Sequence, residues 1–149
     1  MRLALYQPDQ AGNVGAILRL AACLGVPVDI IEPCGFAFSD RALKRAGMDY
    51  AEMARVIRHA GWSAFAEAAQ GGRLVLLTTD GDIRLTEAIF EPDDILLFGS
   101  ESIGAPRHVH DAAGLRVRIP QMPGTRSLNL AAAASISLGE ALRQTNLWP

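Results

Sequence analysis

Cysteine is scarce: the chain has two, Cys23 and Cys34, among 149 residues. They form neither a metal-ligand spacing nor a Cys-x-x-Cys pair, which argues against a zinc ribbon and a dithiol redox centre. Two reduced thiols are expected, one on a helix and one in a loop. Histidine is scarce too, and His59, His108 and His110 make no zinc pattern with the cysteines. His108 and His110 are two apart, which splits them to opposite faces of a strand and separates them on a helix. They read as surface residues. The chain lacks a phosphate-binding loop ending in Gly-Lys-Ser or Gly-Lys-Thr, a Gly-x-Gly-x-x-Gly fingerprint and a Gly-x-Ser-x-Gly elbow. Nucleotidase, dinucleotide-dependent and hydrolase readings lose support accordingly. No apolar run reaches the roughly 18 residues a membrane span needs. The longest candidate, Leu128 to Leu138, is short and contains Ser135 and Ser137. The segment Met1 to Tyr6 is too short for a signal peptide, and polar residues follow it. A cytoplasmic protein without membrane or metal is expected.

An excess of positive charge is also missing. The net charge is -2, so bulk charge gives no support for a nucleic-acid partner. Such a partner needs local clusters. Arg41, Lys44 and Arg45 lie within one helical turn of each other, and Arg55, Arg58 and His59 follow.

What is present is a folding sequence. Half the residues are apolar and 20% are charged, enough for one compact domain over residues 1–149 with its own core. Short apolar runs alternate with helical patterns. Strands are expected at Leu3–Tyr6, Val28–Ile31, Arg73–Thr79, Asp94–Phe98 and Leu115–Ile119, with a weaker one at Met53–Ile57. The alternation of apolar and basic residues in Leu115–Ile119 predicts one face that is wet or meets a ligand or partner. Helices are expected at Asn13–Leu24, Asp40–Ala46, Trp62–Ala69, Pro106–Ala112 and Ser127–Gln144. This order predicts an α/β fold: a mostly parallel sheet with helices on both faces. Ligands in such sheets sit at the carboxyl ends of strands, which points to the loops after Thr79, Phe98 and Ile119.

Three motifs lie in or beside such loops. Gly12-Asn13-Val14-Gly15-Ala16-Ile17-Leu18-Arg19 reads as a helix start with Asn13 as its cap. Its face with Gly12, Gly15, Ala16, Arg19 and Cys23 is smooth, as if something approaches the backbone there. Gly99-Ser100-Glu101-Ser102-Ile103-Gly104 leaves a buried strand with two glycines around one acid, which lets a ligand approach the backbone. Ile119-Pro120-Gln121-Met122-Pro123-Gly124-Thr125-Arg126-Ser127-Leu128-Asn129-Leu130 is a stiffened loop running into an alanine-rich helix. Ser127 is the expected cap, its helix amides facing a carboxylate.

In this order, Asn-x-Gly-x-x-x-Arg, Phe-Gly-x-Glu-x-x-Gly and Ile-Pro…Ser-Leu-Asn-Leu-x-x-Ala resemble the SPOUT superfamily of RNA methyltransferases, over nearly the whole chain. Ile30-Ile31-Glu32-Pro33-Cys34-Gly35-Phe36 and Lys44-Arg45-Ala46-Gly47-Met48-Asp49-Tyr50 are similar to its small bacterial branch. That branch methylates the ribose 2′-hydroxyl of the tRNA wobble nucleotide, a cytidine or 5-carboxymethylaminomethyluridine in the anticodon stem-loop. The resemblance implies a C-terminal trefoil knot, a homodimer sharing helices near both chain ends, and S-adenosyl-L-methionine as methyl donor. Carried over residue by residue, cofactor contacts fall on Leu77, Thr78, Gly99, Glu101, Gly104, Ile119, Met122, Ser127 and Leu128, mostly through backbone groups. Arg19 is the leading catalytic residue, with Asn13, Glu101, Ser127 and Asn129 around it. One position departs: where many members carry an aromatic residue before the glutamate matching Glu140, this chain has Gly139, and that aromatic's role is not carried over. RNA contact is expected at Arg41, Lys44 and Arg45, with Arg55, Arg58, Arg116 and Arg126 as further candidates. Two alternatives stay open: ribose methylation elsewhere on tRNA or rRNA, and an α/β module that binds RNA or a nucleotide without turnover.

Arginine is a doubtful base because its pKa exceeds about 12. Arg19 is expected instead to grip a phosphate bidentately and stabilise a forming alkoxide.

Overall fold

The runs Leu74-Val75-Leu76-Leu77 and Ile95-Leu96-Leu97-Phe98 are apolar on both faces and too short for helices, so only a covered strand buries them. In the computed structural model, which describes residues 1–37 and 54–149, they pair as neighbours at the centre of a sheet. The strands are β1 (Arg2–Tyr6), β2 (Val28–Ile31), β3 (Val56–His59), β4 (Leu74–Leu77), β5 (Ile83–Arg84), β6 (Ile95–Phe98) and β7 (Leu115–Arg118). They run in the order β3-β2-β1-β6-β4-β7-β5, and every pairing is parallel. The described helices are α1 (Ala11–Leu24), α2 (Trp62–Ala68), α3 (Arg107–Ala112) and α4 (Leu130–Thr145). The expected α/β architecture is therefore present; the helix expected at Asp40–Ala46 lies outside the described residues.

Side chains alternate across the sheet with period two, and two apolar layers result. Leu3, Leu5, Val75, Leu96 and Phe98 face Val14, Ile17 and Leu18 of α1 and Leu138 and Leu142 of α4. Ala4, Tyr6, Leu76 and Leu97 face Phe65 of α2 and Val109 of α3. Because the strands are parallel, their carboxyl ends share one edge. Leu5 and Leu77 both stand beside Phe98, and Leu77 also stands beside Val117. The loops leaving β1, β6, β4 and β7 thus emerge together.

Several boundaries differ from the sequence reading, each for a physical reason. Helix α1 starts at Ala11, before Asn13, so Asn13 is not its cap. Asn13 is buried within the first turns, where its side chain serves other partners. Helix α4 is capped by Asn129, not Ser127: the Asn129 side chain accepts from the Ala131 and Ala132 amides at 2.9 and 3.2 Å. The weak strand expected at Met53–Ile57 is β3, shifted to Val56–His59. Its last residue, His59, is 7% exposed and 2.7 Å from the buried Asp29 carboxylate. It does not belong to a basic surface cluster. Two-residue β5 has too little pattern to stand out in sequence; parallel pairing of Ile83 and Arg84 with Val117 and Arg118 creates it.

Candidate functional site

The emerging loops enclose a cavity of about 550 Å³, within the range of small-molecule and cofactor sites. Leu77 to Asp80 line it after β4, Phe98 to Glu101 and Ile103 to Ala105 after β6, and Val117, Ile119 and Gln121 at and after β7. Ser127 to Leu130 close it at the start of α4, and Gln10 and Asn13 enter from α1. Its walls are mixed: Leu77, Phe98, Ile119 and Leu128 are apolar, and Thr78, Asp80 and Glu101 add polar groups.

A chain of side-chain hydrogen bonds ties three of these elements together. Asn129 Nδ2 donates to Asn13 Oδ1 at 2.7 Å, and Asn13 Nδ2 donates to Glu101 Oε1 at 2.9 Å. Glu101 Oε2 accepts the backbone N–H of Asp9 at 2.7 Å. Both Glu101 oxygens are thus committed, so Glu101 is held in one orientation as an acceptor. The loop carrying it is a closed ring. Ser100 and Gly104 exchange two backbone hydrogen bonds of 3.1 and 2.8 Å, and Gly104 turns with φ +70°. A Cβ on Gly99 would lie 2.4 Å from the Gly104 carbonyl carbon, so only glycine permits this closure.

Ten residues expected in the site line this cavity: Asn13, Leu77, Thr78, Gly99, Glu101, Gly104, Ile119, Ser127, Leu128 and Asn129. Met122 does not; it is 76% exposed, and Gln121 faces the cavity instead. Arg19 does not line it either. It is exposed on α1 along with Gly12, Ala16 and Cys23. Sequence reasoning missed Gln10, Asp80 and His110, which also line the cavity. Asp80 follows the apolar run of β4 by three residues, and that loop position was the available signal. His110 reaches the cavity from α3 through tertiary packing, which carries no local signal.

The basic candidates divide. Arg41, Lys44 and Arg45 lie outside the described residues. Arg55 and Arg126 are exposed. Arg58 is ion-paired with Glu32. Arg116 Nε donates to Asp82 at 2.8 Å, and Arg118 Nη1 donates to the Gly81 carbonyl at 2.5 Å. The polar side of β7 is therefore occupied largely by this chain's own 81–82 turn. Cys34 is half-buried, and burial, reinforced by Glu32, pushes its thiol up to about 11, far from a reactive thiolate. Among the described residues, no group of three or more metal-ligating side chains occurs and no helix is long and apolar enough to cross a membrane.

Residues 1–139 match the SpoU rRNA Methylase family. The chain belongs to that family. Within it, a tRNA (cytidine(34)-2′-O)-methyltransferase of Beijerinckia indica subsp. indica is 54% identical over 144 residues, covering 95% of this chain and 90% of the relative. The enzyme of the same name from Escherichia coli strain K12 is 42% identical, covering 97% and 93%. A solved structure described as giving insights into the 2-OH methylation of C/U34 on tRNA superposes with a TM-score of 0.89 at 43% identity, covering 96% of this chain and 94% of that one. A SpoU methyltransferase from Streptomyces viridochromogenes, solved in complex with the cofactor AdoMet, superposes with a TM-score of 0.82 at 25% identity. This chain covers 57% of its length. The family is one of methyltransferases with this parallel α/β architecture, as the SPOUT resemblance implied.

Proposed function

We propose that this chain transfers a methyl group from S-adenosylmethionine to the ribose 2′-hydroxyl of the wobble nucleotide in the tRNA anticodon. The observation that carries the reading is the Asn129–Asn13–Glu101 hydrogen-bonded chain beside the cavity. It draws the three recognised motifs, distant in sequence, into one site. The names and coverage of the relatives support the position on the tRNA.

The cavity fits the methyl donor. Leu77, Ile119 and Leu128 offer apolar surface for an adenine ring, and the closed Gly99–Gly104 loop exposes backbone at close range. Thr78, Ser127 and the backbone of these loops would hold its polar parts, with Gln121 in the place expected for Met122. When bound, S-adenosylmethionine supplies an electrophilic methyl for in-line displacement. The chain's own residues must then orient the ribose and stabilise its oxygen as the proton leaves. Ser127 and Asn129 line the cavity and would meet the ribose, with Asn129 bonded to Asn13 and Asn13 in turn to Glu101.

Arg19 keeps its assignment as phosphate and alkoxide stabiliser within this proposal. Its exposed position on α1 means that it meets the reacting groups through a second subunit or through the bound RNA. A homodimer fits that requirement. Helices α1 and α4 pack together, and Ile136, Leu147 and Trp148 stay exposed on and just after α4. The trefoil knot belongs to the same reading, supported by the order β6-β4-β7 and by α4 packing back on α1. RNA would be held by the Arg41, Lys44 and Arg45 cluster with Arg55 and Arg126.

The deciding experiment incubates unmodified tRNA with labelled S-adenosylmethionine and maps the product by nucleoside mass spectrometry. One methyl on the ribose of the wobble nucleotide is the expected result. A ribose methyl elsewhere on tRNA, or on rRNA only, moves the substrate assignment. Absence of both turnover and cofactor binding in calorimetry overturns the enzyme reading.

A further inference from the structure

Asp9 occupies the turn between β1 and α1 and does not line the cavity, yet it contacts the cavity's glycine loop three times. Its backbone N–H donates to Glu101 Oε2 at 2.7 Å. Its Oδ2 accepts the Ser100 hydroxyl at 2.8 Å and the Ser102 amide at 2.8 Å. These bonds are charge-assisted, and such bonds are the stronger class. Hydrogen bonds from the Ser102 side chain and amide, then from Ser100, hold the Asp9 carboxyl below its ordinary range. The turn that delivers Asp9 is itself unusual: Gln7 is a non-glycine residue with φ +46°, a conformation that persists only when its surroundings enforce it. Behind Asp9 stands Gly35, whose amide donates to the Pro8 carbonyl at 2.9 Å. A Cβ on Gly35 would lie 2.9 Å from the Asp9 Cα, so the 32–37 segment forms a close backstop. Asp9 is thereby wedged between that segment and the loop.

We propose that Asp9 is a positioning residue: its carboxylate fixes the Gly99–Gly104 loop in the form that receives S-adenosylmethionine. The inference rests on the methyl-donor assignment above. It extends that assignment to a residue outside the three motifs. Asp9 acts through Ser100, Ser102 and Glu101, so its removal reaches the cofactor first and the tRNA only indirectly. One carboxylate oxygen, Oδ2, accepts both the Ser100 hydroxyl and the Ser102 backbone amide. An asparagine can present its oxygen there, whereas alanine cannot.

The test compares D9A and D9N with the unaltered protein. Calorimetry should show a Kd for S-adenosylmethionine about tenfold higher in D9A, the scale of one lost charge-assisted bond. D9N should return to within about threefold, KM for tRNA should hold in both, and the melting temperature of D9A should fall by only a few degrees, the scale of one such bond. Amide hydrogen exchange reads the loop without any cofactor, and the Ser102, Ile103 and Gly104 amides should exchange faster in D9A alone. Unchanged exchange and affinity in D9A would overturn the proposal. So would a loss shared equally by cofactor affinity, tRNA KM and melting temperature. If the unaltered protein binds no S-adenosylmethionine, the methyl-donor reading fails, and the exchange data still decide whether Asp9 holds the loop.

Discussion

Asn129 caps helix α4 with its side-chain oxygen and donates its side-chain amide to Asn13 at 2.7 Å. One residue therefore both starts the helix and aligns the site. The two roles separate by substitution. Asn129→Ala should lose both, costing about 1 kcal/mol of stability through the cap and most of the turnover. Asn129→Asp keeps a capping acceptor at the positive end of the helix but turns a repelling oxygen toward Asn13. Stability should be retained while turnover falls at least tenfold. Denaturant melts and single-turnover kinetics check the pair; equal turnover in Asn129→Asp and the unaltered protein would remove the alignment role.

Gly99 gives a sharper steric case. A Cβ there would lie 2.4 and 2.5 Å from backbone atoms of Gly104 and Ala105, and no side chain can rotate away to relieve it. Gly99→Ala should cost about 2 kcal/mol and abolish S-adenosylmethionine binding in calorimetry. Gly139, inside α4, is the control, because its Cβ would meet only Trp148 at an ordinary 3.9 Å. Gly139→Ala should raise stability by about 0.5 kcal/mol and leave the cofactor affinity unchanged.

The main strands, their parallel α/β arrangement, the carboxyl-edge location of the cavity and most of its lining were legible in sequence because they follow from local patterns. Apolar runs mark β4 and β6, and glycines mark the loop between Phe98 and Ala105. The roles of individual polar side chains were not legible. Asn13 has the residue type and setting of a helix cap, yet Glu101, 88 positions away, takes its amide. His59 stands in a basic run, yet Asp29 on the neighbouring strand draws it inside. Arg116 suggests a partner-facing strand, yet Asp82 already holds it. In each case a long-range acceptor outcompetes the local reading, and such partners become visible only once the strands are in register.

Arg73 shows the stability consequence of such a partner. Its guanidinium grips the fully buried Asp94 with two hydrogen bonds of 2.8 Å and donates a third, also 2.8 Å, to the Ile89 carbonyl. Asp94, hydrogen-bonded to it, raises the Arg73 pKa further. Arg73→Ala would leave a buried carboxylate without its cation, a loss of about 3 kcal/mol. Arg73→Lys cannot form the fork and should lose about 1.5 kcal/mol. The pair lies away from the cavity. Turnover measured well below the melting temperature should be unchanged in the lysine variant, and a drop would mean the pair reaches the site.

Acid stability has an identifiable contributor in Glu140. Hydrogen bonds from Arg143, then from Gln144, lower its pKa from the ordinary 4.5 to about 2. A carboxyl with a lowered folded-state pKa stabilises the protein above its unfolded value and loses that contribution as the pH falls through the folded one. The Glu140 contribution should therefore be complete above about pH 4.5 and vanish toward pH 2. Denaturant melts of the unaltered protein and Glu140→Gln, run from pH 7 to pH 2, should show a gap that is constant at first and then closes. High salt should narrow the gap, because Arg143 is largely exposed. A gap independent of pH would assign it to packing instead.

Arg126 and Arg116 were equal candidates for RNA contact by residue type, and the structure makes them unequal. Arg126 is exposed in the loop that leads from β7 to α4, three residues before Asn129. Arg116 is held by Asp82 at 2.6 Å, so an incoming phosphate competes with that carboxylate for the guanidinium. A phosphate contact adds counterion release, and removing one should flatten the salt dependence of tRNA binding by about one unit of log–log slope. Arg126→Ala should therefore raise the tRNA KM severalfold and flatten the slope. Arg116→Ala should change either quantity much less, and S-adenosylmethionine affinity should hold in both. Salt titrations of tRNA binding between low and physiological ionic strength check the contrast. An Arg116→Ala slope change equal to that of Arg126→Ala would show that the Asp82 pair opens on RNA binding, whereas an unchanged slope in Arg126→Ala would remove Arg126 from the RNA surface.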